Sequence, residues 1–133
     1  MGCSAKFDAK KTGADLLLDT SGGRSILDQL QSGAQWWVPE HYFVEVASVL
    51  RRAELGGIIN SAKAASALRS LNVAPLRRVQ IRPLLEEAWS KRGHLTVYDA
   101  LYVVLAEHLN AILVTSDLRL ARSPQLSVSV IVP

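Results

Sequence analysis

The feature that most constrains this chain is an alternation of short apolar runs with helical patterns, ending in a run, A-I-L-V-T at residues 111–115, too apolar to be half exposed. Strands buried on both faces read this way, and they belong to parallel sheets. The spacing predicts strands at 35–38, 77–81, 111–115 and 127–132, with helices at 40–52, 61–71, 84–91 and 97–109. The first of these helices carries Phe43, Val46, Ala47 and Leu50 at three-and-four spacing. Pro39 suits its first turn, and Gly56 and Gly57 stop it. Asn60, Pro83 and Thr96 open the next three. Ser and Val alternate near the end of the chain, as in an edge strand with one wet face. Strands separated by helices indicate βαβ units. The expected architecture is α/β, a three-layer sandwich with a central, mainly parallel sheet flanked by helices. It forms one domain over residues 1–133.

In open sheets of this kind ligands bind beyond the carboxyl ends of the strands. Two acids fall there. Asp99, in L-T-V-Y-D-A-L-Y, stands in the first turn of a helix, and Asp117, in L-V-T-S-D, stands where the apolar strand ends. Each has a structural explanation of its own. Thr96 and Asp99 match a capping box with Asp in place of Glu, and Asp117 can cap a short helix through Leu118, Leu120 and Ala121. Glu45 is a third acid, set between Val44 and Val46 in a helical run, where a carboxylate is costly unless compensated. A cation would compensate it; so would a neighbouring base such as Arg52.

Charge and cysteine usage narrow the classes. The formal charge is +3, but setting aside four of the twelve acids as a pocket leaves eight against fifteen Lys and Arg, a surface of +7. An acidic pocket in a basic surface favours a polyanionic substrate. The single cysteine, Cys3, has no internal partner, so a reducing cytoplasm is the expected compartment. No apolar run approaches the roughly 18 residues of a membrane helix. The opening M-G-C-S-A-K departs from a myristoylation start at Lys6. There is no G-x-S-x-G, no P-loop and no G-x-G-x-x-G, and the acids and lysine of a response regulator are absent. His41, His94 and His108 lie without ligand spacing and read as surface or helix-end residues.

Taken together, V-P-E-H-Y-F-V-E-V-A-S-V-L-R-R, L-T-V-Y-D-A-L-Y-V-V-L-A and L-V-T-S-D-L-R-L-A resemble the second, third and fourth motifs of the PIN-domain family, and within it the VapC-type toxins. The resemblance spans roughly residues 22–133. It implies a Mg²⁺- or Mn²⁺-dependent endoribonuclease, the toxin of a toxin–antitoxin pair, cutting tRNA or another structured RNA. It also implies a homodimer and a small VapB-type antitoxin. The family's acids fall on Glu45, Asp99 and Asp117, and the fourth, which ends the first strand, is best matched by Asp8 in F-D-A. The residues before it, G-C-S-A-K, have little β propensity, and K-K-T-G replaces the usual apolar helix start. Asp15 is the other candidate for that acid.

The case for a metal also stands on physics. Two carboxylates about 5 Å apart repel by roughly 3 kcal/mol at an effective dielectric of 20. A cluster of them traps a proton or holds a divalent cation, and oxygen ligands select Mg²⁺ or Mn²⁺ over zinc. In this scheme Asp8, Asp99 and Asp117 bind metal, and Glu45 ligates it or orients a water. Thr115 and, less directly, Ser116 supply supporting hydroxyls. Arg51, Arg52, Lys91, Arg92, Arg119 and Arg122 are candidate phosphate partners, each also explicable as solvated surface. The rival expectation is a PIN-like domain that has lost the N-terminal acid and binds a partner or RNA without cutting. An exposed indole of Trp36 or Trp37 would support it.

Overall fold

The computed structural model describes residues 4–7 (as backbone), 35–115, 117–124 and 126–132. Its strands are β1 (Ser4–Phe7), β2 (Gln35–Pro39), β3 (Arg77–Val79), β4 (Ile112–Val114) and β5 (Val130–Ile131). Its helices are α1 (Tyr42–Leu55), α2 (Ser61–Val73), α3 (Leu85–Ser90), α4 (Val97–Leu109) and α5 (Leu118–Ala121), with a 3₁₀ turn at Arg82–Leu84. All four strand pairings are parallel, in the order β3-β2-β1-β4-β5. The order reverses between β1 and β4, whose last residues, Phe7 and Val114, are register partners. The carboxyl end of that pair is therefore the topological switch point, where open α/β sheets take their ligands.

Several boundaries differ from the sequence expectation, for local reasons. Pro39 closes β2 instead of opening a helix. It pairs with Val79, and the Glu40 N–H continues the ladder to Val79 O at 2.9 Å, so α1 begins only at Tyr42. Gly57, with φ +75°, makes the turn after α1, a conformation that side chains with a Cβ resist. Asn60 caps α2 as expected, accepting from Lys63 N–H at 2.8 Å. The expected strand at 127–132 shrinks to Val130–Ile131, yet it is an edge strand with half-buried Val128 and Val130 between exposed serines. The G-C-S-A-K run does reach a strand: its backbone from Ser4 lies between β2 and β4 at the centre of the sheet. A central position supplies ladder bonds on both sides, which overrides weak intrinsic propensity.

Helix α4 organises the core. It lies across β1, β2 and β4, and every residue from Ala100 to Ala106 is buried. One side meets Val38, Leu113 and Val114 together with Val46 and Leu50 of α1; the other meets Leu84 and Ala88. A helix apolar all round is what such a two-sided contact requires. Thr96 caps it, accepting from Asp99 N–H at 3.1 Å, and Asn110 ends it in the left-handed region at φ 47°. Among the described residues no helix is long and apolar enough to cross a membrane.

Candidate active site

Asp117 is placed by its neighbours in the chain. The buried Thr115 hydroxyl accepts from Asp117 N–H at 3.0 Å, and Thr115 N–H is itself tied to Ile131 O at 3.1 Å. The Asp117 carboxylate then caps α5 through Oδ1, which accepts from Arg119 N–H at 2.9 Å and Leu120 N–H at 3.3 Å. The capping role expected for Asp117 is therefore present, and it occupies one oxygen. Among the described residues Oδ2 has no partner. Thr115 supports the acid through its backbone N–H, not through the carboxylate, because both residues lie beyond the end of β4.

Asp99 arrives from the first turn of α4. It and Asp117 line one cavity of about 370 Å³, together with Thr96, His94, Arg119 and Arg122. Two acids from separate elements thus share a wall with two arginines on the carboxyl rim. Arg119 is 95% exposed and its Nε lies 3.9 Å from Asp117 Oδ1, so solvent screens that contact and leaves the guanidinium available to another anion.

Glu45 is held differently. Its side chain is 11% exposed, and Oε1 accepts from the Tyr102 hydroxyl at 3.0 Å. His41 Nε2 stands 2.9 Å from the same oxygen, within ion-pairing distance but off the line of a hydrogen bond. The expected partner Arg52 does not pair with it; Arg52, Tyr98 and Glu45 line a neighbouring recess of about 230 Å³. Of the two places the sequence allows His41, surface or helix end, it takes the second, as the N-cap residue of α1. Its ring is 11% exposed and meets Tyr102 edge-on at 5.0 Å and Tyr98 at 5.8 Å. The signal available for it was its position four residues before Glu45, one helical turn away. Just inside α1, burial pushes the Tyr42 hydroxyl well above its ordinary range.

The basic residues divide. Arg119 and Arg122 face the cavity with the acids. Arg51 lines a groove between α1 and α2, beside Phe43 and Leu68. Lys91 is bound to Glu107 at 3.0 Å, two turns along α4 from Asp99, and Arg92 folds over the Trp89 ring at 4.8 Å. Lys91 and Arg92 thus each have a partner on α4 or α3, and neither lines the cavity of the acids. Trp36 and Trp37 are both half-buried, one against the core and the other under Arg77 at 5.2 Å, so neither offers an exposed anchor. Asp8, Asp15 and Ser116 lie outside the described residues. Among the described residues no three of His, Cys, Asp and Glu come within reach of one ion.

The chain matches known proteins in three ways. The PIN domain family matches residues 14–125. The chain is 38% identical to Ribonuclease VapC3 of Mycobacterium tuberculosis over 109 residues, covering 82% of this chain and 80% of that protein. It is 33% identical to Ribonuclease VapC12 of the same organism, also over 109 residues, covering 82% and 84%. In structure it is similar to a chain of VapBC2 from Rickettsia felis, solved bound to a DNA fragment from its promoter. The TM-score is 0.63 at 14% identity, covering 96% of this chain and 98% of the other, a likeness of fold.

Proposed function

The chain belongs to the PIN-domain family, in its VapC-type branch, and from that premise we propose that it is a divalent-metal-dependent endoribonuclease, the toxin of a VapBC-type pair. The observation that carries the reading is the shared cavity of Asp99 and Asp117 on the carboxyl rim, flanked by Arg119 and Arg122. Its relatives carry the name ribonuclease, and the basic surface suits a polyanion.

The donor set fits a hard cation. Mg²⁺ takes one or two carboxylates, several waters and substrate phosphate oxygens in preference to an all-protein cage. Asp99 and Asp117 supply two such carboxylates. Asp8 is proposed as a third, supported by the end of β1 at Phe7, immediately before it in the sequence and in register with Val114. Asp15 lies seven residues further along. When bound, Mg²⁺ or Mn²⁺ polarises the scissile phosphate and makes water a competent nucleophile near neutral pH. The protein's own residues do the rest. The Thr115 turn and the α5 cap hold Asp117 in one rotamer, Thr96 fixes the helix start that presents Asp99, and Arg119 and Arg122 receive phosphate. Glu45, in the adjoining recess, orients the attacking water or joins the ligand set. Substrate would be tRNA or another structured RNA in the cytoplasm. A homodimer and a VapB-type antitoxin complete the reading, the latter supported by the VapBC assembly of its structural neighbour.

The test is cleavage of total RNA with and without Mg²⁺ or Mn²⁺. Cleavage should require the metal, and Asp99→Asn should reduce it to the metal-free background while the chain stays folded. Full activity in Asp99→Asn would sink the site. The N-terminal sequence favours a second reading, because G-C-S-A-K and K-K-T-G depart from the apolar strand and helix start of the family. A chain whose N-terminal acid does not join Asp99 and Asp117 would bind a partner or RNA without cutting, and metal-independent RNA binding with no cleavage products would select that reading.

A further inference from the structure

The chain ties Glu45 to the helix of Asp99 with a single phenol. Tyr102 is fully buried, and it stands three residues after Asp99 on α4, on the same side of the helix. Its hydroxyl donates to Glu45 Oε1 across 57 residues of sequence. A phenylalanine would fill that volume equally well. A buried hydroxyl is costly without a partner, and a carboxylate is the strongest kind of acceptor it can have. Glu45 has three rotatable side-chain bonds and sits at the mouth of a recess; from its own helix only the N-cap residue His41 comes close to its oxygens, and without a hydrogen bond. Both close contacts, from Tyr102 and from His41, fall on Oε1. Among the described residues this leaves Oε2 as the oxygen directed to other work. His41 packs edge-on against the Tyr102 ring and so holds the phenol in place as well.

We infer that Tyr102, backed by His41, is a positioning residue. It sets the Glu45 carboxylate relative to Asp99 so that both acids serve one reaction centre. The inference rests on the metal-dependent nuclease reading above, and it assigns a role to two residues outside the proposed ligand set.

The test uses the full chain, with Mn²⁺ affinity from isothermal titration calorimetry beside cleavage of structured RNA at saturating Mn²⁺. The variants are Tyr102→Phe, Glu45→Gln, the double variant and Asp99→Asn, each with a thermal melt. Tyr102→Phe should lose about 10–100-fold in Mn²⁺ affinity or in cleavage rate, the usual effect of removing a group that orients a ligand. The double variant should be no worse than Glu45→Gln alone, because the phenol acts through that carboxylate. His41→Phe, which keeps a ring against Tyr102, should show a smaller loss in the same direction. A purely structural role predicts a lower melting temperature with unchanged affinity and rate, or losses that multiply in the double variant. Either result overturns the inference. If Asp99→Asn is inactive while Tyr102→Phe matches wild type, the positioning role falls and the nuclease reading stands. If wild type neither binds Mn²⁺ nor cuts, the nuclease reading falls and takes this inference with it.

Discussion

Asp117 and Glu45 are both acids on one rim, but they are held by opposite means. Asp117 is fixed by its own stretch of chain: the partners of its backbone and carboxylate lie two or three residues away. Its side chain keeps 30% exposure. Glu45 is fixed by a phenol 57 residues distant, on another helix, and keeps 11%. The first position survives as long as one turn forms. The second exists only while α1 and α4 are docked, so its geometry is a property of the whole core. A site assembled from both kinds of support joins a robust half to a half that reports on tertiary packing.

That contrast can be broken most forcefully at the helix docking. Leu50 is 3% exposed between α1 and the core. Leu50→Ala should cost roughly 2–5 kcal/mol in urea unfolding, and near the midpoint it should disturb Glu45 before Asp117. Thr115→Val tests the local half. It strands the Asp117 N–H in a part-buried turn at about 1 kcal/mol, and RNA cleavage should fall with Glu45 undisturbed. Equal activity at matched folded fractions would argue against the turn's role.

A pH series probes the docked half without touching the acids. Tyr42 holds its proton more tightly folded than unfolded, so the folded state binds more protons above the ordinary value of 10.0. The stability this gives is complete below that value and declines as pH climbs through it. The loss should reach about 1.4 kcal/mol by pH 11, relative to Tyr42→Phe. A flat difference between the two proteins would refute it. The smallest effect sharpens the local half. Asp117→Ala should cost about 1 kcal/mol by losing the α5 cap, whereas Asp117→Asn caps as well as Asp and should leave stability unchanged. Both should abolish metal-dependent cleavage. If Asp117→Asn retains cleavage, the carboxylate is only a cap.

The same division decides what the sequence reveals. Locally determined features were legible: the Thr96 cap with α4 at Val97–Leu109, the Asn60 cap, and the helix start at Asp117 all follow from residue types a few positions apart. So was the parallel sheet, because buried strands carry their burial in composition. Features set by distant contacts were not. The sequence offers Arg52 as the partner of Glu45, since helical spacing is all it can offer. The donor that bonds it, Tyr102, comes from another helix. His41 reads as a surface or helix-end residue, and nothing near it announces the tyrosines of α4 that bury its ring. Nor does the sequence show that Lys91 meets Glu107 or that Arg92 lies over the Trp89 ring. At β1 the strand is made by its neighbours on both sides and not by S-A-K-F itself.

The unbroken burial of Ala100–Ala106 also bears on motion. A two-turn run with no wet residue has no side from which to loosen, whereas the helix ends at Tyr98 and His108 stay exposed. Its amides should exchange with deuterium only when the entire domain opens, the slowest class in the molecule. Asp99 sits one residue before that run and Tyr102 within it. For the proposed nuclease this would anchor the reaction centre to the stiffest element of the protein and leave adaptation to an irregular RNA to the exposed Arg119 and Arg122 around it.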